Sequence, residues 1–251
     1  MIETGYLQVL ASVALAIVAL ILTFTKSIPV EKEIAFGSVR AFVQLIAVGY
    51  ALEFIFNSES FWLVLLSVAV MLMVGAYTAG QRAEHFKNGF WIALIAMGIG
   101  SLVTLGMMLA LKIITVEARY IIPLAGMIIS NSMNATAIAF NRIGSDLKSN
   151  KLAVETALSL GKNWKDASRR YYRNSVKAGM ISILNFLKTV GLVALPGAMT
   201  GMILAGASPL DAVLIQLIVG YMLLLAVTIS ALISAEMSVR KFFNAAEQFV
   251  G

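Results

Sequence analysis

Seven predominantly apolar stretches recur along this 251-residue chain, and each is close to the ~20 residues that a helix needs to cross the hydrocarbon core of a bilayer. Inside that core a segment must satisfy its own backbone hydrogen bonds, because no water is available to do so. The chain is therefore predicted to be an all-α integral membrane protein with about seven transmembrane helices. The predicted spans are 5–25, 35–56, 61–80, 90–111, 120–140, 176–195 and 211–234.

Composition agrees with a membrane location, since 60% of the residues are hydrophobic and 13% are charged. Such a balance is far from that of a soluble globular domain. The chain has no Cys, which excludes disulfides and thiolate metal sites. Its first residues, MIETGYLQVL, are acidic before the apolar run, the reverse of a secretory signal peptide. We therefore expect the first apolar stretch to be a permanent span.

The positions of the positive charges predict the orientation of the spans. All but three of the 19 Lys and Arg residues lie in the first, third and fifth connections, at their edges, or after the seventh span; the exceptions are Lys112, Arg119 and Lys188. Connections rich in Lys and Arg stay in the cytoplasm. This pattern predicts the N-terminus outside and the C-terminus inside, and it explains the net charge of +6 without binding to nucleic acid.

One long polar connection, 144–175, interrupts the single predicted permease domain, 1–251. It is too short for a nucleotide-binding domain, and no Gly-x-x-x-x-Gly-Lys-[Ser/Thr] phosphate loop occurs in the chain. Helical spacing of apolar and small residues predicts a short helix within it, with Asn150 as its N-cap and Gly161 as its stop. Its apolar edge could contact a partner protein or anionic lipid, and the physical argument does not separate the two. The edge comprises Val154, Ala157, Leu158 and Gly161.

The spacing of Glu155, Ala157 and Gly161 resembles the cytoplasmic coupling helix by which permeases of ABC transporters dock onto their ATPase subunits. Two further stretches, IPLAGMIISNSMNATAIAFNR (122–142) and LPGAMTGMILAGA (195–207) followed by SPLDA, are similar to the FetB-like permeases of bacterial iron export. The similarity extends from about residue 37 to the seventh span. The family includes plant proteins linked to aluminium tolerance. In one departure, the Ile-x-Leu-Pro that ABC importers carry soon after the docking Gly is absent here; Leu195-Pro196 comes a whole span later.

The resemblance implies an ATP-driven exporter of iron or a related metal species in the bacterial plasma (inner) membrane. It implies a homodimer of permeases bound to two cytoplasmic ATPase subunits, which hold the ATP and Mg²⁺, and it implies docking through Glu155, Ala157, Leu158 and Gly161. The chain itself would hold no cofactor and no catalytic residue. The alternatives are an ion-coupled secondary carrier and an integral-membrane enzyme. The enzyme is disfavoured because the sole His, His85, lies in a short connection and no paired Asp or His cluster falls on one membrane face.

The fifth span is predicted to line the transport pathway. Polar side chains there are unfavourable in a bilayer unless they meet water, ligand or one another. Helical geometry places Met127, Asn131, Asn134, Ile138 and Asn141 near one line, with Ser130 beside it. The amides could instead join neighbouring helices as packing contacts; we favour the pathway for Asn131 and leave both alternatives open for Asn134 and Asn141. Met127 and Met133 could offer thioethers to a metal, although Met more often fills gaps in apolar packing.

Two charged residues within or near the spans are further candidates for the pathway. Glu53, near the outer end of the second span, could bind hard cations or lie among the headgroups. Lys188 is predicted to lie well inside the sixth span, where a cation would repel a bare metal ion. It could extend into a water-filled cleft, pair with a residue such as Glu53, or contact an anionic complex as cargo.

The segment after the sixth span is predicted to be a hinge. Leu195, Pro196 and Gly197 should end that span, since Pro removes a backbone donor and Gly relaxes the backbone. The following small residues, 198–207, are too few to cross the bilayer. They predict a helix or re-entrant turn on the outer side, with Pro196, Gly197 and Gly201 as its flexible points. Gly197 and Gly201 could instead form a helix-packing face, which is the more common use of that spacing.

Overall fold

The computed structural model describes residues 6–26, 29–58 and 60–250. In these ranges the chain is helical apart from short turns and two isolated β-bridges. The helices are α1 Tyr6–Thr25, α2 Glu31–Ser58, α3 Phe61–Gly80, α4 Gly89–Ala110, α5 Ala118–Ser149, α6 Lys151–Ser159, α7 Trp164–Thr189, α8 Gly197–Leu204 and α9 Pro209–Arg240.

The chain divides into two compact units, Met1–Ser60 and Phe61–Gly251. The first unit consists of α1 and α2, which pack against each other. None of the residues of α2 is buried, and large apolar side chains such as Phe36 and Leu45 are exposed along it. Such exposure suits helices whose surroundings are lipid rather than water. The predicted spans 5–25 and 35–56 fall on these two helices, except for residue 5, which lies outside the described residues.

The second unit is built around α5 and α9. Helix α5 packs against α3, α4, α7 and α9, while α9 packs against α4, α5, α7 and α8. Small residues at the contacts let the helix backbones approach closely, as is typical of helices packed in membranes. For example, a Cβ at Gly100 of α4 would collide with the hydroxyl of Ser230 and would lie 3.1 Å from the carbonyl oxygen of Ala226, both in α9.

Two of the long helices begin with well-formed caps. Ser208 Oγ accepts a hydrogen bond from the Asp211 backbone N–H at 3.2 Å, and Pro209 occupies the first turn of α9. Asn163 Oδ1 accepts from the Asp166 backbone N–H at 2.8 Å at the start of α7. A capping side chain satisfies one of the N–H groups that a helix start leaves free, and Pro has no such group to satisfy. These caps fix where α7 and α9 begin.

Five helices of the described chain are long and apolar enough to cross a membrane, namely α2, α3, α4, α5 and α9. The apolar stretch of α1, Ala11–Thr25, is shorter than these five helices and is not counted among them. Helix α7 does not qualify, and it carries six charged residues from Lys165 to Lys177 inclusive. The structure therefore supports an all-helical membrane protein, while seven spans and the N-out, C-in orientation stay predictions.

The sixth predicted span, 176–195, requires a correction. Helix α7 starts earlier, at Trp164, and ends at Thr189. Val190 is already extended, and Gly191 has a φ of 80°, a left-handed conformation that glycine adopts without strain. Pro196 therefore does not end this helix; it is the N-cap residue of α8.

The polar region 144–175 is helical along most of its length rather than an extended loop. Helix α5 continues to Ser149, α6 follows after Asn150, and α7 starts at Trp164. The continuation has a packing reason, because Ile143 and Leu147 in the last turns of α5 are fully buried. The connection between α6 and α7 is thus reduced to four residues, 160–163.

Candidate functional site

Helix α5 presents one uncovered stripe that is rich in polar residues. The rest of its circumference is packed, and its buried side chains include Ile128, Ala135 and Phe140. The uncovered stripe is the one that helical spacing predicts. Ser130, Asn134, Ile138 and Asn141 are exposed, and Met127 and Asn131 are half-buried. We call this set the α5 stripe.

Hydrogen bonding differs among the amides of the α5 stripe. Asn131 Nδ2 donates to the carbonyl oxygen of Met127 at 2.8 Å, within the same helix, and Ser130 Oγ donates to that oxygen at 3.2 Å. No side-chain hydrogen bond of Asn134 or Asn141 to another helix occurs among the described residues. Both amides are exposed, and the choice between pathway and packing contact stays a prediction for each of them.

A close contact fixes α7 beside α5. Ser175 Oγ donates a hydrogen bond to the carbonyl oxygen of Ala139 at 2.7 Å, and a Cβ at Gly179 would lie 2.7 Å from the carbonyl oxygen of Ala135. Ser175 and Gly179 of α7 thus face Ala139 and Ala135 of α5, and the two helices run in opposite directions. Because α9 packs against both helices, it covers one side of this contact and leaves the α5 stripe on the other.

Two amides of α7 were missed in the sequence. Asn174 and Asn185 lie eleven residues apart, close to three full turns, and so share one line of the helix. Asn185 is exposed and Asn174 is half-buried. The residues of α7 that face α9, including Ile183, lie on the other side of the helix from this line. A second polar line therefore runs beside the α5 stripe. Only the eleven-residue spacing could have indicated it.

The two methionines considered as metal contacts each pack against an apolar cluster. Met127 packs against the cluster formed by Ile128, Ile183 and neighbouring residues of α9, whereas Met133 packs against a different cluster around Ala76 and Met97. The described residues contain no group of three or more His, Cys, Asp or Glu side chains close enough to hold a metal. These contacts are the ones expected of methionines that fill gaps in apolar packing.

Helix α6 places its predicted docking residues differently from the expectation. Its apolar edge faces inward, since Val154 is fully buried and Leu158 packs against the same cluster as Trp164. The predicted docking residues Ala157 and Leu158 are half-buried, as is Glu155, whose Oε1 lies 3.8 Å from Lys151 Nζ. Leu152 and Thr156 of α6 and Leu160, its C-cap residue, recur every four residues and are exposed, and each leucine is 78% exposed. We call these three residues the outward face of α6.

The end of α6 is confirmed at Gly161, but the predicted cap at its start is not formed. Gly161 has a φ of 85°, its N–H donates to the Leu158 carbonyl at 2.9 Å, and the Lys162 N–H donates to the Ala157 carbonyl at 3.1 Å. This is the Schellman arrangement that ends many helices. Asn150 precedes α6 as predicted, but its side chain donates to the Asp146 carbonyl at 2.8 Å and makes no cap.

One apolar cluster holds α6 against the rest of the second unit. It joins the ends of α5 and α9 to the start of α7, and it includes Leu147, Val154, Trp164, Val239 and Phe242. Tyr172 of α7 packs against this cluster, and burial and the nearby Glu236 carboxylate raise the pKa of its hydroxyl.

The two predicted charged residues belong to different units. Glu53 is exposed on α2. Lys188 is exposed in the last turn of α7, one residue before the helix ends, so it does not lie deep within a longer helix as expected. A cation there is favoured by the free carbonyl groups of the helix end. The proposed Glu53–Lys188 pair stays a prediction.

The predicted hinge region forms a short helix. Gly197 begins α8 and Gly201 lies within it, and neither has another atom within 4 Å of where a Cβ would stand. Within the second unit, therefore, no helix packs closely against these two glycines. The hinge role of Pro196, Gly197 and Gly201 stays a prediction.

Comparison with known proteins places the chain in a family. The model of an uncharacterised protein family, UPF0014, matches residues 6–243. The chain belongs to UPF0014. No solved structure matches it.

Curated UPF0014 relatives match the chain over nearly all its length. It is 39% identical over 244 residues to the UPF0014 membrane protein STAR2 of Oryza sativa subsp. japonica, a match covering 97% of this chain and 86% of that protein. Identity to the protein ALUMINUM SENSITIVE 3 of Arabidopsis thaliana is 35%, with 97% and 89% covered. Identity to the probable iron export permease protein FetB of Escherichia coli (strain K12) is 35%, with 94% and 91% covered.

These matches confirm the resemblance to FetB-like proteins and to plant aluminium-tolerance proteins. This UPF0014 chain is thus a membrane protein of a family that includes a probable permease. The matched range, 6–243, includes the α5 stripe, α6 and α7, so the geometry described above lies within the family region.

Proposed function

We propose that this chain is the permease subunit of an ABC transporter, exporting iron or a related metal species through a homodimer powered by separate ATPase subunits. It would sit in the bacterial plasma membrane with its N-terminus outside and α6 in the cytoplasm. The ATPase subunits would bind the ATP and Mg²⁺, and this chain would perform no covalent chemistry. The relative named a probable iron export permease supports the choice of cargo.

The α5 stripe is the observation that carries a transport function. Helix α5 is central to the second unit and qualifies as a membrane span, yet its one uncovered side carries amides and a hydroxyl. Such groups are unfavourable against lipid tails, so they need water, cargo or another protein surface. In a homodimer, two such stripes could line one hydrated pathway between the subunits.

The chemistry of the α5 stripe suits a hard cation or its hydrated complex. Asn131, Asn134 and Asn141 offer amide oxygens and Ser130 offers a hydroxyl, and oxygen ligands favour hard metal ions over soft ones. The thioethers of Met127 and Met133 are engaged in apolar packing and are not assigned to the cargo.

The outward face of α6 is assigned to ATPase docking. Leu152 and Leu160 are large, apolar and 78% exposed at an end of the unit that also bears Lys148, Lys151 and Lys162. Exposed apolar side chains grouped on one helix face are typical of protein contact sites. Of the residues first predicted, Val154 and Leu158 anchor α6, Glu155 and Ala157 lie at its flank, and Gly161 ends it.

Reconstitution tests this function. The chain would be placed in liposomes with an ABC-type ATPase that co-purifies with it or whose gene is found next to its own, and ATP hydrolysis would be measured with metal ions, metal chelates and small organic solutes. We expect stimulation by iron or a similar hard metal species. Cargo movement at full rate without any ATPase subunit would instead support the ion-coupled carrier, and covalent change of a solute would support the enzyme.

A further inference from the structure

The chain after α9 folds back onto the α6 end of the second unit. Phe242 and Phe243 are buried, and the Phe249 ring stacks on Phe242 with centroids 6.1 Å apart. The Val250 N–H donates to the Phe242 carbonyl at 2.9 Å. Asn244 Oδ1 accepts from the backbone N–H groups of Ala246 at 3.0 Å and Gln248 at 2.8 Å. Residues 242–250, the return segment, therefore form a closed and internally bonded loop.

The return segment contacts the start of α7 and lies against α6. Glu247 Oε2 accepts a hydrogen bond from the Trp164 backbone N–H at 3.3 Å, which places a carboxylate at a helix N-terminus, where negative charge is favoured. The rings of Trp164 and Phe243 lie 6.0 Å apart. Lys151 Nζ in the first turn of α6 lies 6.0 Å from the centroid of the Phe249 ring. Contacts to both flanking helices hold the segment in place.

A groove of about 840 Å³ separates the return segment from the last part of α6. One wall is the last part of α6 and its connection to α7, including Glu155, Ser159 and Lys162; the other wall is residues 246–249. The groove is wide and open, and charged groups of both signs line it. A metal ion or small solute would touch only one wall of so open a groove, whereas side chains of a protein surface could fill it.

We propose that the groove and the outward face of α6 form one composite surface for the ATPase subunit, with the return segment as its second wall. The inference rests on the proposed ATPase docking at α6. Leu160 belongs to the outward face, and the groove-lining Ser159 and Gly161 are its immediate neighbours in the chain. A protein that covers Leu160 therefore meets the edge of the groove, and its contacts extend to residues 246–249.

Neighbouring alanines of the return segment provide the test. Ala246 lines the groove, whereas Ala245 is exposed and does not. The chain and the ABC-type ATPase used for reconstitution would be expressed together, and the amount of ATPase that co-purifies would be measured. We expect Ala246→Arg to weaken the complex about tenfold, a loss of about 1.4 kcal/mol in binding, and Ala245→Arg to change it less than twofold. Equal binding by both variants would overturn the composite surface.

Labelling provides a second readout that does not depend on how an arginine is accommodated. Because the chain has no Cys, Ala246→Cys and Ala245→Cys are single-cysteine variants. We expect the ATPase subunit to slow maleimide labelling at position 246 about tenfold, the effect of covering most of an exposed thiol, and at 245 less than twofold. Equal labelling of position 246 with and without the ATPase would overturn the proposal.

The two proposals fail in distinguishable ways. If the wild-type chain binds no ATPase under any condition, both the docking function and the composite surface are wrong. If the wild type binds and Leu160→Asp releases the ATPase while Ala246→Arg retains it, docking at α6 stands and the return segment has no part in it.

Discussion

The Ser175 hydroxyl crosses the α5–α7 contact to donate a hydrogen bond to the backbone carbonyl of Ala139, 2.7 Å away. One turn further along, Gly179 faces Ala135 so closely that a Cβ would lie 2.7 Å from the Ala135 carbonyl oxygen. The two helix backbones are thus in direct contact. This contact holds α7, with its own line of amides, beside the α5 stripe.

Replacing Gly179 tests how tightly this contact is packed. Because the obstructing atom is backbone, Gly179→Ala must push α7 away from α5, and overpacking of this kind costs about 1–3 kcal/mol. Gly106→Ala in α4 is the matched control, since nothing lies within 4 Å of its Cβ position and alanine favours a helix over glycine by up to about 1 kcal/mol. Thermal unfolding in detergent should therefore shift down for the first and stay level or rise for the second. A rise for both would show that α7 can move freely.

The role of the α5 stripe is tested at Asn134. Asn134→Leu keeps the side-chain size and removes the amide, and the exposed position should leave stability nearly unchanged. We expect cargo-stimulated ATP hydrolysis to fall about tenfold, which corresponds to about 1.4 kcal/mol of lost interaction with the cargo. Ile138→Leu, on the same stripe, is the control and should retain activity. Loss of stability with normal transport by the folded fraction would make Asn134 a packing residue.

Much of the fold and part of the candidate site follow from the sequence, because they depend on local regularities. Helix α3 was predicted with its observed bounds, 61–80, and the helical repeat placed Asn131 and Asn134 on the side of α5 that is uncovered. Gly161 was predicted to end α6, and it does, since a left-handed residue after a helix favours glycine. Local spacing and backbone preference are sufficient for such features.

Other features depend on contacts between residues far apart in the chain. The apolar edge of α6 could have faced lipid, a partner or the protein's own core, and only the fold shows Val154 buried. The hydrogen bond between Glu247 and Trp164 joins residues 83 positions apart. Pro196 was a reasonable stop for α7, but the chain leaves the helix earlier, at Val190 and Gly191. No local pattern identifies which of two possible stops a helix uses.

A pair of leucines separates docking from folding at the α6 end. Leu147 is fully buried, so Leu147→Ala should lower stability by about 2–5 kcal/mol through the cavity it creates. Leu160 is 78% exposed, so Leu160→Asp should change stability by less than about 0.5 kcal/mol. Its effect should appear in co-purification of the ATPase subunit, reduced about tenfold. Full ATPase binding by Leu160→Asp would refute the assignment of the outward face.

Lys188 lies in the last turn of α7 rather than deep inside a span. This position predicts an effect on stability. We expect Lys188→Met to lower stability by about 0.3–1 kcal/mol, since it removes a cation from the carbonyl end of the helix, and to leave transport within about twofold. Lys177→Met is the matched control: it lies eleven residues earlier on the same exposed line of α7, away from the helix end, and should change stability less. The difference should shrink in high salt, because salt screens the interaction with the helix end. If Lys188→Met instead reduced transport of a negatively charged iron chelate about tenfold while transport of the free ion persisted, the lysine would contact an anionic cargo.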